Sequence, residues 1–224
     1  MLEAIKDRVW RACQRLVVVN LVIQTEGNVS ERTPDGRFFV IKPSGVPYAE
    51  LQPDHFVVVD LEGRVREGKL KPSTDTPTHL EIYRRRPDIG AICHTHSPYA
   101  SAWAQMGTPL PCFGTTHADA FGGAVPVTRL LTPAEVVEGY ERAIGRVISE
   151  VLPPTARAVL VAGHGPFAFG ENGLEAVRYA EILEKVAMMA TVNPPARPLP
   201  AHILRKHYDR KHGAGRYYGQ EVER

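Results

Sequence analysis

The hydrophobic period of this chain switches repeatedly along its length, from helical spacing to strand alternation and back, and that limits the available folds more than any single motif does. Leu2, Ile5, Val9, Cys13, Leu16 and Val17 recur at helical spacing, so an amphipathic helix runs from the start of the chain to near Asn20. A loop at Gly27-Asn28 comes next, and then two β-rich runs, RFFVI at 37 to 41 and FVVVD at 56 to 60. These read as adjacent antiparallel strands, the second turning at Glu62-Gly63 into Arg64-Val65. Thr76-Pro77 pairs a capping hydroxyl with a proline at the first helical position and predicts a helix over 77 to about 86. IGAICHTH at 89 to 96 is a buried strand.

A second helix start, Thr132-Pro133-Ala134-Glu135, forms a capping box, and Val136, Val137, Tyr140, Ile144, Val147 and Ile148 lie along one face of a helix that runs to about 149. ARAVLVAG at 156 to 163 is another strand, and residues 173 to 190 form a helix on Leu174, Val177, Leu183 and Val186. The run PPARPLP then separates a basic final helix from the rest. Strands near 37, 56, 89, 123, 158 and 167, with helices before, between and after them, predict an α/β layered domain with a mixed, mainly antiparallel sheet flanked by helices. Strict βαβ alternation is missing and no glycine fingerprint follows the first strand, so a dinucleotide-binding fold is disfavoured.

At 224 residues and 43% hydrophobic content the chain can bury one core without disulfides, which predicts a single domain over 1–224. Its 27 basic and 25 acidic residues leave a formal charge of only +2, too little for a nucleic-acid partner. Arg84, Arg85 and Arg86 read as a solvated helix end, where cations oppose the helix dipole. Cys13, Cys93 and Cys112 are odd in number and widely spaced, as expected of reduced thiols packed inside a cytoplasmic protein. The opening MLEAIKDRVW is too charged for a secretory signal, and no segment has the length of a membrane span.

Chemistry concentrates in the histidines. Side chains two apart on a strand share a face, so His94 and His96 would present two imidazoles on one side, about 7 Å apart along the backbone. An H-x-H pair by itself is weak. His164 adds a third imidazole, at a strand end between Gly163 and Gly165, which allow a close backbone approach. Three neutral imidazoles leave positions open on a zinc-like ion, as catalytic metal centres require. Asp75, at the start of the 77 to 86 helix, reads equally as a carboxylate favoured by exposed amides or as a ligand. Ser73 and Thr74, with Lys42-Pro43-Ser44-Gly45, supply hydroxyls, amides and a cation near a helix N-terminus, groups that suit a phosphate.

The segments GNVS at 27 to 30, KPSG at 42 to 45, STDTPTH at 73 to 79, HTH at 94 to 96, TTHAD at 115 to 119, GHGPFAFG at 163 to 170 and the C-terminal KHYDRKHGAGRYYGQ occur in that order. In that series the chain resembles the class II aldolase and epimerase family, and within it the L-ribulose-5-phosphate 4-epimerases, over essentially its whole length. The resemblance implies an enzyme that interconverts L-ribulose 5-phosphate and D-xylulose 5-phosphate in carbohydrate breakdown, arabinose catabolism for example. It implies a divalent metal, zinc first and manganese or cobalt otherwise, held by His94, His96 and His164 with Asp75 as a further ligand. Gly27, Asn28, Ser44, Gly45, Ser73 and Thr74 match positions that hold the substrate, chiefly its phosphate, and Lys42 lies beside them. Asp119 and Tyr218 match two proton donors and acceptors that act across a subunit boundary of a cyclic homotetramer, so the tail 200–224 would complete the active site. From the sequence alone Tyr218 reads equally as a surface tyrosine in a flexible tail.

Two other readings fit the same residues. Class II aldolases such as L-fuculose-phosphate aldolase resemble the chain in fold and histidines, but use a glutamate near the position of Asp75, where this chain has the shorter acid. The adducin head resembles the fold as a non-catalytic scaffold without a working metal site, which the retention of all three histidines disfavours. His207 reads as an exposed helix histidine or as a group near the substrate phosphate.

Overall fold

A computed structural model describes residues 1–193 and 197–219. Seven strands form one sheet: β1 (Asn28–Arg32), β2 (Phe38–Ile41), β3 (Val57–Asp60), β4 (Val65–Glu67), β5 (Ala91–His94), β6 (Ala158–Leu160) and β7 (Pro166–Gly170). Their order is β4-β3-β2-β1-β5-β7-β6, and every neighbouring pair is antiparallel. The expected pairing of the runs at 38 and 57 is present, with Phe39 opposite Val59 and Val40 opposite Val58.

The strands are apolar on both faces, and the alternation sorts side chains by size. Val40, Val58, Ala91, Cys93 and Ala168 point to one face, where they pack with Ile5, Val9, Cys13 and Leu16 of α1 (Leu2–Val18) and with Ala176, Val177 and Ala180 of α6 (Gly173–Val192). Phe39, Ile41, Val57, Val59, Ile92, Phe167 and Phe169 point to the other, against Leu80 and Ile82 of α2 (Thr76–Arg85) and Ile144 and Ile148 of α5 (Pro133–Val151). A sheet with two apolar faces must be covered on both, which is why helices lie above and below it. Burying each large side chain contributes roughly 1.5–3 kcal/mol. Glu31 of β1 adds a polar tie, accepting from the Arg8 guanidinium of α1 and from the Gly173 amide that opens α6, at 2.8 Å.

Several sequence expectations shift. Asn28 begins β1 rather than sitting in a loop, because its segment fills the gap between β2 and β5, with Asn28 opposite His94. No strand forms near 123: Val125 and Val127 make only isolated bridges, to Leu110 and Leu160, since Gly122, Gly123 and Pro126 interrupt the run. Helices α3 (Pro98–Met106) and α4 (Thr115–Phe121) are additional to those predicted. The capping box of α5 is present, Glu135 N donating to Thr132 Oγ1 at 3.3 Å. The basic final helix is α7 (Ala201–His212), packed on α4. The predicted linker positions 194–196 and tail positions 220–224 lie outside the described residues.

All three cysteines are buried and free, and burial pushes the Cys13 thiol up to about 12 and the Cys112 thiol up to about 11. Among the described residues no helix is long and apolar enough to cross a membrane.

Candidate metal centre

His94 closes β5, and the chain leaves the sheet immediately after it, so His96 lies beyond the strand on which sequence spacing had placed it. His164 lies in the tight turn between β6 and β7, closed by Val161 N donating to Gly165 O at 2.9 Å and His164 N to Val161 O at 3.0 Å. Gly165 is required there: a Cβ would stand 2.8 Å from the Thr95 carbonyl oxygen and 3.2 Å from His96 Cδ2. β5 and β7 are neighbours, so the strand end and the turn deliver their histidines to the same edge of the fold.

The three imidazoles converge through Nε2. His96 Nε2 is 3.1 Å from His94 Nε2 and 3.0 Å from His164 Nε2. The His94 ring stacks on Phe167 with centroids 4.1 Å apart, and its Nδ1 is 2.9 Å from the Pro166 carbonyl oxygen. A carbonyl oxygen only accepts, so Nδ1 carries the proton and the lone pair of Nε2 is directed at its two neighbours. Burial, then the nearby His164, holds His94 well below the usual histidine range, and burial, then His96, lowers His164.

Neutral rings in this arrangement are poor partners for one another. The central His96 Nε2 can share at most one proton, which leaves a second nitrogen pair at contact distance with no hydrogen between them. A cation satisfies all three. Tetrahedral ligation at a zinc–nitrogen length of 2.0–2.1 Å sets nitrogens about 3.3 Å apart, close to the spacing here. His164 Nδ1 is buried without a hydrogen-bond partner among the described residues, and Glu26 Oε2 stands 3.7 Å from His96 Nδ1 as an outer carboxylate. The donor set fits a divalent metal of the zinc type.

A cavity of about 390 Å3 opens beside the triad. Its lining contains Gly27, Asn28, Lys42, Ser44, Gly45, Ser73, Thr74 and Asp75 together with the three histidines, so the structure gathers these expected metal and substrate residues around one space. Two loops contribute to this lining. Ser44 N donates to Lys71 O at 2.9 Å and Ser73 N to Lys42 O at 3.0 Å, which holds 42–45 against 71–75 where α2 begins. The free amides at that helix start favour an anion.

Asp75 is the residue before α2 but does not cap it; its Oδ2 instead accepts from Asn28 Nδ2 at 2.6 Å. Among the described residues only the three histidines form a tight set of ligand atoms, all within 4.8 Å of one another. Lys42 is 1% exposed, and its Nζ donates to Thr25 O at 3.1 Å and Pro43 O at 3.4 Å, above the Tyr48 ring. Its charge therefore braces the loops from beneath the cavity, and burial lowers its pKa.

Asp119 and Tyr218 form a second cluster, which shares no lining with this cavity. Asp119 lies on α4 and accepts from the Arg210 guanidinium and from His207 Nδ1 at 3.2 Å, with Lys211 Nζ at 3.6 Å. Burial works against its charge, but the hydrogen bonds from Arg210 and His207 outweigh it and hold the carboxyl below the usual range. Arg210 also lies 5.0 Å from the Tyr218 ring and Lys211 Nζ 4.3 Å from it. Sequence reasoning passed over Arg210 and Lys211, and read His207 only as exposed or near a phosphate. The sequence signal was partial: His207, Arg210 and Lys211 share one face of a helix, but only the fold brings that face to Asp119.

A model of the family described as class II aldolase and adducin N-terminal domain matches residues 7–191. The chain belongs to that family. An L-ribulose-5-phosphate 4-epimerase of Salmonella paratyphi B is 44% identical to it over 98% of this chain and 100% of the relative. Among solved class II aldolase structures, an L-fuculose 1-phosphate aldolase superposes with a TM-score of 0.75 at 27% identity, covering 92% of this chain and 95% of that one. The L-fuculose-1-phosphate aldolase of Thermus thermophilus gives 0.68 at 29% identity, covering 84% and 94%. Membership accounts for the antiparallel sheet with helices on both faces, and class II aldolases are metal-dependent, in keeping with the histidine triad.

Proposed function

We propose that this protein is an L-ribulose-5-phosphate 4-epimerase, an isomerase that interconverts L-ribulose 5-phosphate and D-xylulose 5-phosphate by breaking and re-forming the C3–C4 bond. The observation that carries the reading is the convergence of three imidazole nitrogens at 3.0–3.1 Å beside a cavity that the loops at the start of α2 also line. One end of that space suits a cation and the other a phosphate. The full-length similarity to an epimerase supports the same substrate.

His94, His96 and His164 would hold a divalent metal, zinc first and manganese or cobalt otherwise, with Asp75 completing the ligands. When bound, such an ion supplies Lewis acidity that stabilises negative charge developing on the ketose oxygens. Ser44, Gly45, Ser73 and Thr74 bind the phosphate, and Gly27 and Asn28 hold the sugar beside them. As the C3–C4 bond breaks, its electron pair stays on the three-carbon fragment, the C4 hydroxyl gives up its proton, and C4 becomes the aldehyde of glycolaldehyde phosphate. Rotation of that fragment and re-addition to its opposite face invert C4. Asp119, kept ionised by Arg210 and His207, accepts the proton on one face, and Tyr218 returns one on the other.

Asp119 and Tyr218 do not line the triad's cavity, so a neighbouring subunit supplies them, in a cyclic homotetramer of single-domain chains whose tail, 200–224, completes the site next door. The protein is cytoplasmic. An aldolase that releases its fragments is the second reading, favoured by the superposition on L-fuculose 1-phosphate aldolases. Against it, Asp75 is shorter than the glutamate of those enzymes and is engaged by Asn28.

The test gives L-ribulose 5-phosphate to zinc- or manganese-loaded protein and follows D-xylulose 5-phosphate and free glycolaldehyde phosphate together. Formation of the xylulose ester, abolished in His94→Ala, is expected. Cleavage products alone would make the protein an aldolase, and a chain that takes up no metal would be a scaffold.

A further inference from the structure

The apolar stripe of α5 is only half used by the core. Ile144, Val147 and Ile148 are buried, whereas Val136, Val137 and Tyr140 on the same predicted face are exposed, Val137 to 87%. The cause is a break. Gly139 has φ 150° and ψ 91°, outside helical geometry and in a region that favours glycine, so the two halves of the helix point differently. Beyond the break α5 is fastened to α2: Thr78 Oγ1 donates to Glu141 O at 2.6 Å, and the helices nearly touch at Gly145.

Tyr140 is the first residue after the break, one position before that anchor. Its ring centroid lies 6.3 Å from that of His164, at 32°. Leu130, at the far end of the exposed segment, lies against Gly163 in the turn that carries His164. The segment leading into α5 therefore comes over the metal-binding turn and sets the ring of Tyr140, 40% exposed as a residue, beside His164. Burial, then the carboxylates of Asp75 and Glu141, push the phenol up.

We propose that Tyr140 is a substrate-contacting, specificity-determining residue. Its ring extends the site past His164, beyond the residues that line the cavity, and its hydroxyl donates to the polyol chain of the sugar phosphate. Building on the epimerase reading, the same ring retains the aldehyde fragment between bond cleavage and re-addition, and so favours inversion over release.

The test uses full-length, metal-loaded Tyr140→Phe and Tyr140→Ala. Metal per chain is measured first, then calorimetric binding of ribitol 5-phosphate, a polyol phosphate that has no carbonyl and cannot be cleaved. Last comes the ratio of free glycolaldehyde phosphate to D-xylulose 5-phosphate during turnover. Unchanged metal content is expected, with polyol binding weakened roughly 2- to 10-fold by loss of the hydroxyl. In Tyr140→Ala the share of free aldehyde should rise as well. If the wild type binds the polyol and Tyr140→Phe binds it more weakly, but no xylulose ester forms, the epimerase reading fails while the contact stands. Wild-type binding and partition in both variants would overturn the proposal, as would loss of metal from them, which would make Tyr140 a support for His164, or a wild type that does not bind the polyol.

Discussion

Acid should destabilise this fold through His117 in a way that can be calculated and then removed by one substitution. His117 lies on α4, is 3% exposed, packs edge-on against Phe121, and has Nε2 2.9 Å from the Gly123 carbonyl oxygen. Burial, only partly offset by that hydrogen bond, lowers its pKa from 6.5 to about 4. Between those values the unfolded chain binds the proton and the folded chain does not, so stability is lost as pH falls. The contribution is complete above the unfolded pKa and fully lost below the folded one. At 1.36 kcal/mol per unit, the shift removes about 0.8 kcal/mol at pH 6 and about 2.0 kcal/mol at pH 5, approaching about 3.4 kcal/mol below pH 4. The assay is urea unfolding of wild type and His117→Gln at saturating metal from pH 7.5 to 4.5. Glutamine keeps an N–H near the Gly123 carbonyl but does not titrate. Metal loss at low pH affects both proteins, so the difference between their curves isolates His117, and the wild type should lose about 2 kcal/mol more than the variant between pH 7.5 and 5. Parallel curves would refute the reasoning and show that His117 is protonated in the folded state or reached by water.

Gly145→Ala should destabilise by about 1–3 kcal/mol in the same unfolding assay, because the new Cβ would meet the Thr78 carbonyl oxygen and Glu81 Cβ, each at 2.7 Å, where α5 crosses α2. An unchanged midpoint would mean that the two helices separate at little cost. Asp119→Asn should lower kcat for epimerisation by roughly 10²–10⁴-fold with metal content unchanged, since it removes a proton acceptor and no ligand. A variant with wild-type kcat would leave Asp119 as a structural partner of Arg210.

Much of the fold was legible because period and capping were strong. Thr132 with Glu135 caps α5 as expected, Pro77 marks the start of α2 although the Thr76 hydroxyl donates to Ser73 O instead of capping it, and the alternation of FFVI and VVVD gave two strands and their pairing. The failures have a common origin in interactions across sequence distance. Asn28 looked like a loop residue because glycine precedes it, yet β2 and β5 on either side supply ladder partners that local propensity cannot register. The run near 123 looked like a strand, but Pro126 and its place beyond β6 leave it only single bridges.

The metal centre shows the same division between what spacing conveys and what folding adds. The H-x-H pair suggested a shared strand face, but β5 stops at His94, and the nitrogens meet because His96 turns back beside the β6–β7 turn. The donor types could be read from the sequence; the register of β5 against β7, which sets His94 opposite Phe167 and so beside His164, could not. The second cluster was harder still. The Asp119 carboxyl is held below its usual range by hydrogen bonds from Arg210 and His207, about 90 positions later, on a helix that no local pattern ties to α4. That separation bears on mechanism. In the proposed mechanism, the base is set by docking α7 onto α4, so substitutions that loosen α7 should change the pH dependence of turnover before they change the affinity of the triad for metal.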